Sequence, residues 1–292
     1  MESQFVTFDQ ILGQSVAIDA LATAFRQDRL PHALIFAGPM GVGKETTACA
    51  LAALFLCEKP GQLAACGKCA SCLSFAAGTH PDYHPIYREL IRLEKSDAKA
   101  RDLSADVIRD HLIARAANKS VVGIGKVFVV RDAEMMNTTA QNILLKTLEE
   151  PAGRTLIILL TDQLESLLPT IRSRCRVIRF APLDRKIVQQ ELRKRNIDHG
   201  LAASAAGFAE GSLGLAIDWI NLGVIDRAAE LVKLLGQVLG GQSAMILQPW
   251  LKSAADAYAE KRIEVDDKTS KDQASREGMI LYLKLASQYF RS

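Results

Sequence analysis

With 292 residues the chain is about twice the usual single-domain length, which predicts two or three compact units and excludes a peptide hormone or a disulfide-stapled mini-domain. Apolar residues make up 49% and charged residues 24%, which excludes a disordered chain, and 6% aromatics require an aliphatic core. The balance of 36 Lys and Arg against 33 Asp and Glu gives +3, too little to hold nucleic acid by bulk charge, so any DNA contact has to be local.

Residues 1–14 are acidic and lack the basic-then-apolar run of a signal peptide, and no apolar stretch reaches spanning length. The expectation is a cytoplasmic protein without a membrane partner. Ile18, Leu21, Ala22 and Phe25 recur at helical spacing over 15–29. Residues 32–36 then form a strand that breaks into glycine at 38, and an Ala- and Leu-rich helix follows over 44–57. Residues 82–87 are a weaker strand because of Pro81 and Pro85, and 88–102 read as an exposed charged connection. Ser104 caps a helix to about Asn118 with Val107, Ile108 and Leu112 on its buried face. Lys126-Val127-Phe128-Val129-Val130 is an apolar strand of the kind buried in a parallel sheet.

Thr138 and Gln141 have capping-box spacing at the start of a helix that ends before Pro151. Two more strands, 155–160 and 176–180, flank a helix over 167–174. Strands alternating with helices predict a parallel α/β sheet ending near residue 182. Beyond it the pattern is helical, with stretches at 186–194, 228–239 and 280–290 and turns at 207–214 and 240–241.

Gly38-Pro39-Met40-Gly41-Val42-Gly43-Lys44 lies between a strand and a helix, the context in which backbone N–H groups and a helix N-terminus cradle phosphate. Gly38, Gly41, Gly43 and Lys44 are therefore the candidate phosphate-binding residues. The next position, where a hydroxyl holds magnesium, is Glu45, with Thr46 one place late. The partner strand should end in acids that hold magnesium and polarise water, and it ends in Arg131-Asp132-Ala133-Glu134. With both magnesium positions altered, the loop reads as a P-loop shell without a working ATPase, and ATP in its own pocket is doubtful. The opposite charges of Glu45 and Arg131 admit two readings: an ion pair where the metal would have been, or independent drift at two sites.

Cys57, Cys66, Cys69 and Cys72 follow C-x8-C-x2-C-x2-C, and two-residue gaps turn successive thiolates toward one tetrahedral centre. Four thiolates leave no open position, which predicts a structural zinc. His80 and His84 are alternative ligands to Cys57, with packing the favoured role, and Cys49 reads as core.

Leu144-Leu145-Lys146-Thr147-Leu148-Glu149-Glu150-Pro151, then Leu159-Leu160-Thr161, then Ile171-Arg172-Ser173-Arg174-Cys175 form an ordered series. Together with Gly78-Thr79-His80-Pro81-Asp82-Tyr83 and the cysteines it resembles bacterial clamp-loader subunits of the AAA+ class, and within them the delta-prime family of the DNA polymerase III holoenzyme. The resemblance covers the chain through roughly residue 220 and the tail only by position and class. It implies an α/β AAA+ P-loop module over 1–182 with a zinc knuckle insertion at 57–72, a small helical lid over 183–222 and an all-helical collar over 223–292, shorter than the family's usual one. It implies that Arg174 is an arginine finger for the ATP site of a neighbouring subunit, that Thr161 is the first sensor, and that Gly214 replaces the sensing arginine of active relatives. The implied assembly is a pentamer in which gamma/tau subunits bind ATP, a delta subunit opens the sliding clamp, and the ring is placed on primer-template DNA. Two other readings remain: an active ATPase using Thr46 with Asp132 or Glu134, and a DNA-binding zinc module, for which the knuckle region offers only Lys59 and Lys68.

Overall fold

A computed structural model describes residues 7–94, 102–265 and 270–290. Five strands, β1 (Ala33–Ala37), β2 (Tyr83–Ile86), β3 (Lys126–Val130), β4 (Thr155–Thr161) and β5 (Arg176–Arg179), form one parallel sheet in the order β2-β3-β4-β1-β5. Strands β1, β3 and β4 are buried along their whole length, which is why they are unbroken aliphatic runs rather than alternating ones. Alternate side chains point to opposite faces and separate two cores. On one face Leu34, Phe36, Val127, Val129 and Ile158 pack on Leu21 of α1 (Ser15–Arg26) and Leu51 and Leu54 of α2 (Lys44–Phe55). On the other, Ile35, Phe128, Val130 and Ile157 pack on Leu112, Leu144 and Leu148. The carboxyl ends of β1, β3 and β4 therefore share one edge, where open α/β sheets bind ligands.

Several local expectations change. The first helix stops at Arg26, and β1 begins at Ala33; the His32 carbonyl still accepts from the Ile157 N–H of β4 at 2.7 Å, and its ring Nε2 lies 2.7 Å from the Leu148 carbonyl. The Thr138–Glu149 helix is capped by Asn137, whose side chain accepts from the Ala140 N–H at 2.9 Å. Thr138 and Gln141 are thus not a capping box; Gln141 is buried and bonds elsewhere. The helix after Ser104 does bury Val107, Ile108 and Leu112, but passes through a π-helical segment over Ile108–Ile113. The helix expected over 167–174 is one turn, Pro169–Arg172. The tract after Tyr87 is helical over Arg88–Leu90 and Ile91–Glu94 and buries Leu90 and Ile91, so it is not simply an exposed connection. Part of that expectation, 95–101, lies outside the described residues.

The chain divides into two compact units, Met1–Pro182 and Leu183–Ser292. Among the described residues the second unit is entirely helical. Asp184, Asp198 and Ser212 cap the helices Arg185–Lys194, His199–Phe208 and Leu213–Asn221 through side-chain oxygens, as expected for short polar residues at helix starts. Gly207 is inside a helix rather than a turn; a Cβ there would lie 3.0 Å from Arg185 Nη2. Val224–Leu239, Leu247–Val265 and Lys271–Tyr289 follow, with the Trp250 ring edge-on to the buried Tyr282 at 5.4 Å. Among the described residues no helix is long and apolar enough to cross a membrane.

Candidate functional site

The 38–44 loop leaves β1 between β4 and β5. A Cβ on Gly38 would stand 2.3 Å from the Phe180 carbonyl oxygen, so only glycine fits where the chain beyond β5 crosses the loop. Gly41 and Gly43 take φ of 71° and 101°, left-handed values that glycine adopts without a steric cost, and Gly43 opens α2. Gln14 pins the loop from outside, its Nε2 donating to the carbonyls of Val42 at 3.2 Å and Ala181 at 2.7 Å. Lys44 bends back, its ammonium donating to the carbonyls of Gly38 at 2.5 Å and Pro39 at 2.7 Å. Burial pushes that ammonium below its ordinary pKa, against the pull of Asp162, Glu134 and Asp132.

At the two magnesium positions the structure has an ion pair: the Arg131 guanidinium meets the Glu45 carboxylate. Of the two readings of these opposite charges, pairing is the one present. Arg131 also lies over the Tyr87 ring, 5.7 Å from its centroid, and its backbone N–H donates to the Ile86 carbonyl at 2.8 Å. Thr46 is exposed and about 100° further round α2 than Glu45. Asp132 has φ 48°, a left-handed backbone uncommon for a residue with a side chain. Burial raises the Glu134 carboxyl; the Thr161 hydroxyl opposes the shift and the neighbouring Asp162 adds to it. Cys49 is only half-buried, its Sγ 3.5 Å from the Tyr83 hydroxyl, so it is not a simple core residue.

Arg174 follows the Pro169–Arg172 turn and precedes β5. In the parallel register Leu34 faces Arg176 and Ala37 faces Arg179, so Arg174 stands at the edge where β1 and β5 begin. The phosphate loop leaves the opposite edge, separated by roughly 13 Å of strand. Arg174 cannot serve its own loop. Its Nε and Nη2 both donate to Glu149, and Nη1 donates to the Thr170 carbonyl at 3.0 Å. The segment that carries it is fixed by Gln141, which accepts from the Leu168 N–H at 2.7 Å and donates to the Met136 carbonyl at 3.0 Å.

The sulfurs of Cys57, Cys66, Cys69 and Cys72 all lie within 4.8 Å of one another. Cys57 follows the end of α2, and Cys69 caps α3 (Ala70–Ala76). The Cys57–Cys72 and Cys66–Cys72 sulfur separations are 3.6 and 3.9 Å, and a tetrahedron with metal–sulfur bonds of about 2.3 Å has edges of about 3.8 Å. Backbone N–H groups of Cys66, Cys69 and Cys72 point at the sulfurs of Cys57, Cys66 and Cys69, stabilising thiolate. The N–H groups of Lys68 and then Cys69 bring Cys66 down to about 6, whereas burial raises Cys57 and Cys72. This is a donor set for one soft tetrahedral ion.

The histidines lie outside that set. His80 Nδ1 accepts from the Asp82 N–H at 3.1 Å, which leaves Nε2 as the donor to Ser71 Oγ at 2.8 Å; Ser71 Oγ donates to the Leu56 carbonyl. Asp82, buried, accepts from the N–H groups of Val121 and Val122, both at 2.8 Å. The His80-Pro81-Asp82 run is therefore a brace between the cysteine cluster, β2 and the loop before β3. His84 stacks on Phe128 at 4.8 Å.

Gln14 and Asp162 carry no periodic or motif signal as site residues, and Glu149 lies in the 144–151 motif without any sign that it pairs with Arg174; Asp162 could have been found as the first acid beyond the apolar run of β4.

A glycine-lysine loop after β1, in a parallel sheet ordered β5-β1-β4-β3-β2 and followed in the chain by a helical unit, defines a P-loop module of the AAA+ class. A family model described as DNA polymerase III, delta subunit, matches residues 13–184, and the chain belongs to that family. It is 42% identical to the DNA polymerase III subunit delta-prime of Pseudomonas aeruginosa over 144 residues, 49% of this chain and 41% of the relative. It is 32% identical to that of Bacillus subtilis over 184 residues, 62% and 52% of the two chains, so the matches span about half the length of these relatives. The tau/gamma subunit of Haemophilus influenzae is 32% identical over 227 residues, 74% of this chain and 31% of that one. A solved structure of Thermotoga maritima RuvB superposes with a TM-score of 0.49 at 13% identity over 98% of this chain and 92% of that one.

Proposed function

We propose that the chain is a non-hydrolysing subunit of a bacterial DNA polymerase III clamp loader, which donates Arg174 in trans to the ATP site of a neighbouring gamma/tau subunit. The carrying observation is the Glu45–Arg131 ion pair, which fills both positions that would hold and polarise Mg²⁺. Phosphoryl transfer in P-loop proteins depends on that metal and its ligands, so their replacement removes most of the catalytic electrostatics. The position of Arg174 at the edge away from its own loop supports service in trans, since an always-charged planar guanidinium acts on a phosphate wherever it is presented. The segment 183–222 is the lid, and 223–292 is the collar that holds the ring with gamma/tau and delta. Cys57, Cys66, Cys69 and Cys72 hold a structural zinc, which the Cys66–Cys72 and Cys57–Cys72 sulfur separations support. The sliding clamp and primer-template DNA are reached through the assembly, and the chain works in the cytoplasm.

Titration of the full chain with Mg-ATP, and of a loader reconstituted with Arg174→Ala, tests this. The chain alone is expected to show no Mg-dependent ATP turnover. The R174A loader is expected to assemble but to lose DNA-stimulated hydrolysis by on the order of 10³ at the site the finger serves. Turnover by the chain alone, by way of Thr46 with Asp132 or Glu134, overturns the first half; unchanged hydrolysis in the R174A loader overturns the second.

A further inference from the structure

The Thr138–Glu149 helix ends in Glu149 followed by Glu150. A carboxylate in the last turn of a helix is at the wrong end of the macrodipole, where cations are favoured. Glu149 is held there by the Arg174 guanidinium, which gives it both Nε and Nη2. The other terminal nitrogen donates to the Thr170 carbonyl and, at 3.4 Å, to Ser173 Oγ. The side-on edge, Nε with Nη2, is thereby engaged by Glu149, and Nη1 by the Thr170 carbonyl. An incoming phosphate cannot take that side-on edge of Arg174 without displacing Glu149. The pair is also open to solvent, with side-chain exposures of 34% for Arg174 and 46% for Glu149. Such pairs are weak and exchangeable, whereas a polyphosphate brings several anionic oxygens to the same fork.

We propose that Glu149 is a positioning residue that latches Arg174 against its own subunit and competes with the neighbour's ATP for the guanidinium. The finger is presented only when a phosphate, with its greater charge, replaces the carboxylate. This rests on the reading of Arg174 as a finger in trans. The neighbouring Arg172 provides an internal control, because it too pairs with a carboxylate of its own subunit, through Nη1 to Glu165.

The test is a steady-state ATPase comparison of reconstituted loaders carrying wild-type, Glu149→Gln, Glu149→Gln with Arg174→Ala, Arg174→Ala or Glu165→Gln subunits, with binding of the assembly to its partners checked for each. Glutamine keeps the shape and removes the charge. E149Q is expected to lower the KM for ATP about two- to fivefold with kcat little changed, an effect that vanishes on the R174A background. An unchanged KM, or a fall in kcat, overturns the latch. An equal KM change in E165Q makes the effect a general one of charge and also overturns it. If R174A alone leaves hydrolysis intact, the finger reading fails instead, and the two failures are distinguished.

Discussion

The Arg131 guanidinium, at the end of β3, meets the Glu45 carboxylate in the first turn of α2. The side chains are 42% and 49% exposed, so solvent screens the pair and its coupling should be about 0–1 kcal/mol. A double-mutant cycle with Glu45→Ala and Arg131→Ala, read by urea unfolding, should give a coupling in that range. A value of several kcal/mol would mean that the pair is a structural staple. Replacing both at once, Glu45→Thr with Arg131→Asp, restores a hydroxyl and an acid at the magnesium positions and is expected to create Mg-dependent ATP binding measurable by calorimetry.

With a structural ion on the four cysteines, the full chain should contain about one equivalent of zinc, released by a strong chelator or by Cys72→Ser. Amide exchange should then rise across 57–72 and in the Ser71–His80 brace, while β1, β3 and β4 stay protected because their cores are aliphatic and independent of the metal. Binding requires thiolates, so the zinc should also be lost on acidification. A chain that keeps its exchange pattern after chelation would show that the cluster holds itself together without metal.

Gln141→Ala removes the acceptor of the part-buried Leu168 N–H. Stability should fall by about 0.5–1.5 kcal/mol, the usual net contribution of such a hydrogen bond. The same substitution should loosen the turn that carries Arg174, seen as faster exchange over 168–174. No change in either would mean that the turn is held by its own backbone bonds.

His84 supplies a pH dependence. Burial first, and then the nearby Arg115 charge, depress its ring to about 4, with Asp82 opposing and Lys126 and His80 adding. The folded protein therefore favours the neutral ring, and the unfolded chain takes up the proton near the ordinary value of about 6.5. This contribution to stability is complete above pH 6.5 and is lost progressively as the pH falls from there toward 4. His84→Phe keeps a ring against Phe128 and removes the titration, so its unfolding midpoint should fall less than that of the wild type between pH 7 and pH 5. Parallel midpoints would assign the acid sensitivity elsewhere.

Much of the sheet could be read along the chain because β1, β3 and β4 are buried on both faces, and such strands need consecutive aliphatic residues. The structure departs from the local pattern where a side chain has a choice of partners. Gln141 has capping-box spacing, yet its amide is used across the fold and Asn137 takes the cap. Gly207 reads as a turn residue and instead lies inside a helix, with the Arg185 side chain alongside.

The sequence by itself determined the elements, the glycine-lysine loop and the cysteine spacing, because helical and strand periods and tight turns are set by neighbouring residues. Those same local patterns also marked the family. Only the tertiary structure decided that Glu45 pairs with Arg131, that Glu149 holds Arg174, and that Arg174 stands at the edge of the sheet away from its own loop. These relations depend on strand order and on which crossover brings each element alongside another, and no local period in a chain records that order.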